Sequence, residues 1–146
     1  MTELEMRSQD RPRPDKDHVT TEYWDATLRG ELLIQRCPAC GHKQHYPRAL
    51  CTACGETPEW QRASGRGSVH TFTVIRQNHA KPFRDLLPYV VAMVALDEGP
   101  MLMGNVIECA VDDVHIDMAV EVVFETVADD DGTPTHAVPY WRPRAR

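Results

Sequence analysis

The stretch CPACGHKQHYPRALCTAC, residues 37–54, contains two Cys-x-x-Cys pairs separated by ten residues. Each pair forms a tight turn that directs two sulfurs at one point, so the two pairs together supply the tetrahedral thiolate shell that suits Zn²⁺. A glycine follows each pair, at Gly41 and Gly55, and permits the left-handed backbone that lets amides point at sulfur. The pattern predicts a metal site formed by Cys37, Cys40, Cys51 and Cys54.

The metal at this site is expected to be structural. Four protein ligands close the coordination sphere, whereas a catalytic zinc keeps a position for water or substrate. A segment so short and so rich in Pro, His and Lys cannot bury enough apolar surface to fold alone, so the metal substitutes for a core. Two alternatives remain open: His42 or His45 could replace a cysteine, and four thiolates would also hold iron in a rubredoxin-like electron carrier.

Composition restricts the class of protein. The chain has 146 residues and a net charge of −6 from 16 basic and 22 acidic residues, which fits one domain with a small module and argues against binding mainly through nucleic-acid phosphates. Its apolar runs are too short to span a membrane, and the N-terminal residues lack the apolar core of a signal peptide. We therefore expect a cytoplasmic protein, in which cysteines hold metal rather than disulfides.

Four segments follow from the pattern along the chain. Residues 1–17 are polar and contain two prolines, which predicts a mobile tail. The sequence of residues 18–36 predicts a helix that starts at Thr20 or Thr21 and a short apolar strand that leads into the first cysteine. Residues 37–58 are expected to form the metal-binding ribbon. Residues 59–142 predict a small closed β-barrel, because turn signals separate five apolar strands. These strands are expected at 69–75, 89–96, 101–107, 120–127 and 137–141.

The sequence contains no recognisable catalytic motif: no G-x-S-x-G, P-loop, H-E-x-x-H or G-x-G-x-x-G is present. No catalytic residue is therefore predicted, and Cys109 is interpreted as a buried small hydrophobe. The loop at 78–87 is different, because Lys81, Phe83 and Arg84 combine two cations with an aromatic ring. Such a loop suits a phosphate-bearing ligand or a protein partner, but it could equally be an amphipathic loop that packs Phe83 on the barrel.

Several short motifs together resemble a known family. They are YW at 23–24, GEL at 30–32, QRCPACG at 35–41, PR at 47–48, CTACG at 51–55, SGRGSV at 64–69, PYVVA at 88–92 and VEVVFE at 120–125. This order is similar to that of the zinc-ribbon OB-fold proteins associated with acyl-CoA enzymes, a family long labelled a domain of unknown function. The resemblance covers roughly residues 20–142, and it departs at Asp117, where the family pattern leads us to expect a glycine.

The resemblance implies a mainly β fold: an N-terminal helix, a rubredoxin-like zinc ribbon and a five-stranded OB-fold barrel. It also implies a subunit that is not catalytic alone and accompanies a thiolase-fold enzyme in an acyl-CoA lyase (retro-aldol) or transferase complex, with steroid side-chain degradation as one setting. A hotdog-fold enoyl-CoA hydratase is a further partner of such proteins. In this interpretation the subunit helps to hold acyl-CoA: Arg66, Lys81 and Arg84 meet the CoA phosphates, and Phe83 contacts ligand or partner.

A nucleic-acid-binding module is the main alternative, since zinc ribbons and OB barrels both bind nucleic acids in other proteins. The negative net charge argues against it. The strand aromatics that could stack on bases are as easily core residues. They are Phe72, Tyr89, Phe124 and Trp141.

Overall fold

The computed structural model describes residue 6 and residues 8–145. Within these residues the chain forms one α-helix and eight β-strands, joined by short 3₁₀ turns at Ser8–Asp10, Phe83–Leu86 and Val111–Asp113. The elements are α1 (Thr21–Leu28), β1 (Leu33–Arg36), β2 (Lys43–Gln44), β3 (Glu59–Arg62), β4 (Arg66–Ile75), β5 (Tyr89–Leu96), β6 (Met101–Val106), β7 (Ala119–Ala128) and β8 (Pro134–Pro143). No helix in the described part of the chain has the length and apolar character needed to cross a membrane.

Strands β4 to β8 close into a barrel in the order β4-β5-β6-β8-β7. These are the five strands that the sequence predicted, so the prediction of a small closed β-barrel of the OB type is confirmed. Burial alternates along β5, where Val90, Ala92, Val94 and Leu96 are buried and the residues between them are half-buried. Together with Val69 and other inward-facing side chains they form the apolar core that holds the barrel together.

The barrel wall is weakest between β6 and β8. These two strands run parallel and share one register pair, Val106 with Trp141, followed by a hydrogen bond from the Ile107 N–H to the Trp141 carbonyl at 2.7 Å. The other four seams are antiparallel and longer. Residues 101–105 of β6 form no register pair with β8, although Gly104 lies close to Trp141, and we call this unpaired part of the wall the opening of the barrel.

The metal-binding ribbon is built on a separate sheet of order β2-β1-β3. Strand β1 pairs with β3 over four residues, from Leu33–Arg62 to Arg36–Glu59, and with β2 at Gln35–Gln44 and Arg36–Lys43. Strands β1 and β3 thus lie outside the 37–58 range expected for the ribbon. They extend the ribbon on both sides, because the two cysteine turns are connected to this sheet. The helix α1 and this sheet sit on the barrel through buried side chains such as Leu32 and Ile34.

Asp17, rather than a threonine, organises the start of α1. Thr20 precedes the helix but its side chain makes no capping hydrogen bond. Instead, the Asp17 carboxylate accepts hydrogen bonds from the backbone N–H groups of Val19 and Thr20 at 2.9 and 2.8 Å. These bonds from Thr20 and Val19 lower the pKa of Asp17. The Thr20 side chain therefore does not cap the helix, although the helix begins at the predicted place.

Residues 8–17 contact the barrel, although the sequence analysis treated 1–17 as a mobile tail. The Glu125 carboxylate accepts hydrogen bonds from the backbone N–H groups of Met6 and Ser8 at 3.2 and 3.0 Å, and the Ser8 hydroxyl is hydrogen-bonded to the Tyr140 hydroxyl. Composition could not predict these contacts, because the polar groups that make them could equally form hydrogen bonds with water. Mobility of the segment stays a prediction, and residues 1–5 and 7 lie outside the described residues.

Asp117 adopts the left-handed conformation, with φ of 65°. This explains why a glycine is the expected residue at the approach to β7. Aspartate is among the few non-glycine residues that visit this conformation at modest cost, so this position accepts aspartate in place of the expected glycine. The Asp117 N–H donates to the Val69 carbonyl at 2.8 Å and so ties the approach to the barrel.

We predict that Gly67→Ala destabilises the barrel. Gly67 lies in β4 between β5 and β7, and a Cβ there would lie 2.5 Å from the Ala95 carbonyl oxygen and 2.8 Å from a Val94 methyl. The backbone cannot give way without breaking ladder bonds, so the free energy of unfolding, measured in urea, should fall by about 2 kcal/mol. The neighbouring Ser68→Ala is the control, and equal stability of both variants would contradict this account.

Candidate metal centre and the adjoining cleft

The four cysteines of the ribbon converge on one point. Their sulfurs all lie within 4.8 Å of one another, and no histidine or carboxylate joins the group among the described residues. The Cys37–Cys54 and Cys40–Cys51 sulfur pairs are 3.5 and 3.7 Å apart. Tetrahedral Zn–S bonds of about 2.3 Å would place sulfurs about 3.8 Å apart, so the donor set fits zinc.

Both cysteine turns have the same backbone geometry. The N–H of Cys37 donates to the His42 carbonyl at 2.8 Å, and the N–H of Cys51 donates to the Glu56 carbonyl at 2.7 Å. In each turn the following glycine donates back to the first cysteine of the pair, and these glycines have φ of 76° and 82°. The prediction that Gly41 and Gly55 adopt the left-handed conformation is confirmed.

The surroundings of the sulfurs favour a thiolate at Cys51 but not at Cys54, where the Glu56 backbone amide lowers the pKa but the neighbouring Cys37 thiol and burial raise it overall to about 12. Burial raises the pKa of Cys51, but the backbone amides of Cys54 and Ala53 oppose this effect and bring the pKa to about 6. The Ala53 amide lies 3.4 Å from the Cys51 sulfur. A bound cation would stabilise the thiolates further, since metal ligation deprotonates a thiol outright.

Neither histidine of the ribbon loop reaches the metal site. The Nε2 atom of His42 is 3.1 Å from the Thr52 hydroxyl. His45 instead stacks with aromatic rings, with its ring centroid 5.7 Å from that of Tyr23 and 4.4 Å from that of Tyr46. The alternative in which a histidine replaces a cysteine ligand therefore finds no support in the geometry. The closed set of four cysteines has the character of a structural site.

A cleft of about 650 Å³ lies where the helix, the ribbon loop and the opening of the barrel meet. Its lining is rich in aromatic and aliphatic side chains and includes Arg11 and Arg48, and among the described residues no carboxylate, serine or cysteine contributes to it. The lining residues come from α1 and the residue before it (Thr20, Tyr23, Trp24), the ribbon loop (residues 45–48), β5 (Tyr89, Val91), β6 (residues 102–105), β8 (residues 138–141), Arg11 and Phe83. Its volume and apolar character are those of a ligand-binding pocket.

Arg11 forms part of the wall of this cleft. Its guanidinium lies over the Phe83 ring at 4.9 Å and over the Tyr140 ring at 5.4 Å. It also donates to the Asn105 side-chain oxygen at 3.2 Å and to the Met6 carbonyl at 3.2 Å. The sequence analysis missed this residue, because no motif marks an arginine that joins an N-terminal segment to strands far along the chain.

His45 lies between the cleft and the ribbon in a neutral state. Burial, and secondarily the charge of Arg48, lower the pKa of His45 to about 4. Its Nδ1 atom is buried and has no hydrogen-bond partner among the described residues. A neutral imidazole is therefore the form that the fold requires at ordinary pH.

The structure separates the four residues that were predicted to contact ligand or partner. Phe83 lines the cleft, whereas Lys81, Arg84 and Arg66 line neither the cleft nor the groove over the ribbon loop. Arg84 lies in the same loop as Phe83 and pairs with Asp85 at 3.7 Å. Arg66 lies at the opposite end of β4, about 30 Å along an extended strand from this loop.

The barrel aromatics do not form an exposed stacking platform. Trp141 is buried, and Phe72 and Phe124 pack against the core. Tyr89 is half-buried and accepts a hydrogen bond from the Asn78 side chain at 3.0 Å. Single-stranded nucleic acids stack on exposed rings, so this arrangement gives no support to a nucleic-acid module.

Cys109 is partly buried against the core, and burial raises its pKa, as expected for a packing residue rather than a nucleophile.

Two family models match adjacent segments of the chain. Residues 24–60 match the rubredoxin-like zinc ribbon domain of ChsH2, and residues 60–125 match the C-terminal OB-fold domain of ChsH2. The division between them falls in β3, at the point where the chain passes from the ribbon sheet to the barrel. The rubredoxin-like zinc ribbon and the OB fold expected from the sequence are both confirmed.

Curated proteins of similar sequence cover most of the chain. A DUF35 domain-containing scaffold protein of Methanocaldococcus jannaschii is 34% identical over 128 residues, which span 83% of this chain and 89% of that protein. A probable enoyl-CoA hydratase alpha subunit of Thermomonospora curvata is 34% identical over 135 residues, which span 91% of this chain but only 40% of that longer protein.

Solved structures are similar over the same region. A structure described as an Ltp2-ChsH2(DUF35) aldolase has 32% identity and a TM-score of 0.76, and the match covers 90% of this chain and 98% of that chain. A DUF35 family structure of unknown function from Sulfolobus solfataricus has 14% identity and a TM-score of 0.59, and it supports the fold alone.

We predict that the purified protein is colourless and contains about one zinc ion per chain by elemental analysis, as expected for a closed four-thiolate site. Cys40→Ser should lose most of this zinc and unfold the ribbon, because metal binding and folding are coupled in such modules. Cys109→Ser, which leaves the four ribbon cysteines intact, is the control. A red protein with iron, or full zinc content in Cys40→Ser, would contradict the assignment.

We also predict a loss of stability on acidification that depends on His45. The unfolded chain protonates this residue below about pH 6.5 and the folded chain only below about pH 4, so protons favour the unfolded state between these values. Between pH 7 and pH 5 the free energy of unfolding should fall by about 2 kcal/mol more in the parent than in His45→Phe. The exposed His79 provides the control His79→Phe, which should behave like the parent. Identical pH dependence in all three proteins would show that His45 is not buried as described.

Proposed function

Because the chain belongs to the DUF35 family of zinc-ribbon OB-fold proteins, we propose that it is a non-catalytic subunit of an acyl-CoA enzyme. Its partner in this proposal is a thiolase-fold chain that carries the catalytic residues and performs aldol cleavage, thiolysis or acyl transfer on a CoA thioester. The proposed role of this chain is to hold the partner in its active form and to help bind the acyl-CoA.

The match to the Ltp2-ChsH2(DUF35) aldolase carries this proposal. That match covers 98% of the other chain, so the two chains are similar over nearly all of that chain. The names of two longer relatives, an enoyl-CoA hydratase alpha subunit and the 3-oxo-4,17-pregnadiene-20-carboxyl-CoA hydratase alpha subunit of Mycobacterium tuberculosis, also describe subunits that act on CoA thioesters. A steroid-derived acyl group is accordingly our first choice of substrate.

The composition of the cleft supports an accessory role. General acid–base or nucleophilic catalysis needs a titratable group near its working pKa, or a nucleophile with an adjacent base. Among the described residues the cleft lining has no carboxylate, serine or cysteine, its histidine has a pKa of about 4, and burial raises the pKa of Tyr23 and of Tyr140 above the usual range. The zinc site has no open position for a substrate. This chain can therefore bind and orient a substrate, while the reacting groups come from another subunit.

Exposed apolar side chains around the cleft support contact with a partner. Tyr46, which lines the cleft from the ribbon loop, is 54% exposed, and Met103, which lines it from β6, is 60% exposed. Large apolar groups that cluster at one face mark protein or ligand contacts more often than free surface. The ribbon loop and the opening of the barrel are thus the face that we assign to the complex.

Co-expression tests this function. A tagged copy of this chain should co-purify with a thiolase-like chain encoded beside it, and cleavage of a CoA thioester by that chain should fall at least about tenfold when this subunit is absent. Cys40→Ser should also lose the complex, because the unfolded ribbon no longer presents its loop, whereas Cys109→Ser should retain it.

The result that contradicts the proposal is equally concrete. If no thiolase-like or hydratase chain co-purifies, or if the partner reaches full activity without this chain, then the chain is not an accessory subunit. Co-purification with a hotdog-fold hydratase in place of a thiolase-like chain would keep the subunit role and change the reaction to hydration.

A further inference from the structure

Residues 8–17, which we call the strap, contact the barrel on three of its strands before they lead into the helix. At the start of the strap, the Ser8 N–H donates a hydrogen bond to the Glu125 carboxylate of β7 at 3.0 Å. The Ser8 hydroxyl is hydrogen-bonded to the Tyr140 hydroxyl of β8. The strap ends at Asp17, whose carboxylate accepts the backbone hydrogen bonds that organise the start of α1. Both ends of the strap thus have a defined place in the fold.

Arg11 of the strap bridges the opening of the barrel. Its guanidinium lies over the Tyr140 ring of β8 at 5.4 Å and donates a hydrogen bond to the Asn105 side chain of β6 at 3.2 Å. No register pair joins β6 to β8 at Asn105, so a side chain of the strap makes the contact across this seam that the two strands do not make. Arg11, Asn105 and Tyr140 all line the cleft. The strap therefore forms a wall of the cleft at the place where the barrel is open.

A bulge at the end of the β7–β8 hairpin anchors the strap. The register between the two strands shifts between Val127 and Ala128, and Pro134, the partner of Ala128, has no N–H to donate. The Gln9 side chain supplies the missing contact, because it donates to the Ala128 carbonyl at 2.7 Å and accepts from the Ala128 N–H at 3.0 Å. Arg13 donates to the same carbonyl at 2.6 Å. Neither Gln9 nor Arg13 lines the cleft, so the anchor is separate from the wall.

Polar contacts hold the strap on the barrel, and water can replace each of them. Ser8 is the one buried residue of the strap, and the others are half-buried or exposed. The Arg11 Nη2 atom is buried without a hydrogen-bond partner among the described residues, and such desolvation lowers the stability of the docked state. Segments with few buried apolar side chains open locally at a small fraction of the free energy of global unfolding. We therefore expect the strap to detach while the barrel stays folded.

We propose that the strap is a detachable gate that closes the opening of the barrel with Arg11, so that its release controls access to the cleft. Pro12 and Pro14 stiffen the strap, which favours movement of the segment as a unit. Asp17 holds the start of α1 and sets the point at which the release stops. This gate goes beyond the proposed function, since it governs the entry of any apolar molecule into the cleft.

Amide hydrogen exchange of the zinc-loaded full chain tests whether the strap detaches. The N–H groups of Ser8 and Arg11 bond to Glu125 and to the Ser8 carbonyl, and they should exchange at least about a hundredfold faster than the N–H groups of β5. Equal exchange rates would show that the strap is a rigid part of the barrel, and this result overturns the gate. Exchange of the Ser8 N–H at the rate of an unstructured peptide would mean that the strap is never closed, which overturns it as well.

Stopped-flow fluorescence with the neutral dye Nile red tests access to the cleft. The double variant Gln9→Ala with Arg13→Ala removes the anchor and leaves the lining of the cleft unchanged. Loss of these hydrogen bonds increases the open population, so the dye should associate about tenfold faster than with the parent protein. Asp15→Ala is the control, because Asp15 is exposed on the same strap and lies outside the lining, and it should bind the dye at the parent rate.

Each result with the dye decides the assignment. Equal association rates in the parent and the double variant overturn the gate, and so does a failure of the dye to bind either protein. A lower affinity of the double variant at an unchanged association rate would show that the strap is a fixed wall, which also overturns it. If the double variant does not fold, hydrogen exchange of the parent protein decides alone. Neither measurement contains a partner chain, so a negative result leaves the subunit role to be judged by co-purification.

Discussion

The convergence of four cysteine sulfurs is the interaction on which the rest of this structure depends. The two turns that carry them are held by matching backbone bonds and stand on a small sheet whose outer strand has only two residues. Such a sheet buries little apolar surface, so a cation shared by four thiolates has to supply the missing cohesion. The loop between the turns, residues 41–50, takes its position from that centre.

The position of this loop matters because of how the barrel closes. Strands β6 and β8 share one register pair, and the unpaired part of this seam forms the opening of the barrel. The helix α1 borders the opening on one side and the ribbon loop borders it on another, so three separately formed pieces enclose the cleft. Binding capacity thus arises where the elements meet and not within any one of them.

Buried polar groups in this region serve position rather than chemistry. Arg11 is held between two aromatic rings and a side-chain amide, and His45 is kept neutral by burial. Both groups lose contact with solvent and instead stack on aromatic rings, and this desolvation costs stability. Such a cost is expected where the residues serve a function. Their placement beside the cleft is consistent with a surface that is covered when the subunit meets its ligand or partner.

Local patterns in the sequence determined the metal site, the helix, the five barrel strands and the family, because each depends on residues that are near neighbours in the chain. The cysteine spacing alone specifies four converging sulfurs, and alternating apolar residues specify a buried face on each strand. Tertiary structure alone decided which side chains share a cavity. Arg11, His45, Phe83 and Trp141 are remote in sequence and line one cavity only when the barrel closes and the ribbon packs beside it. No periodicity encodes that meeting, since it depends on how the barrel closes and on where a loop fixed by zinc comes to rest.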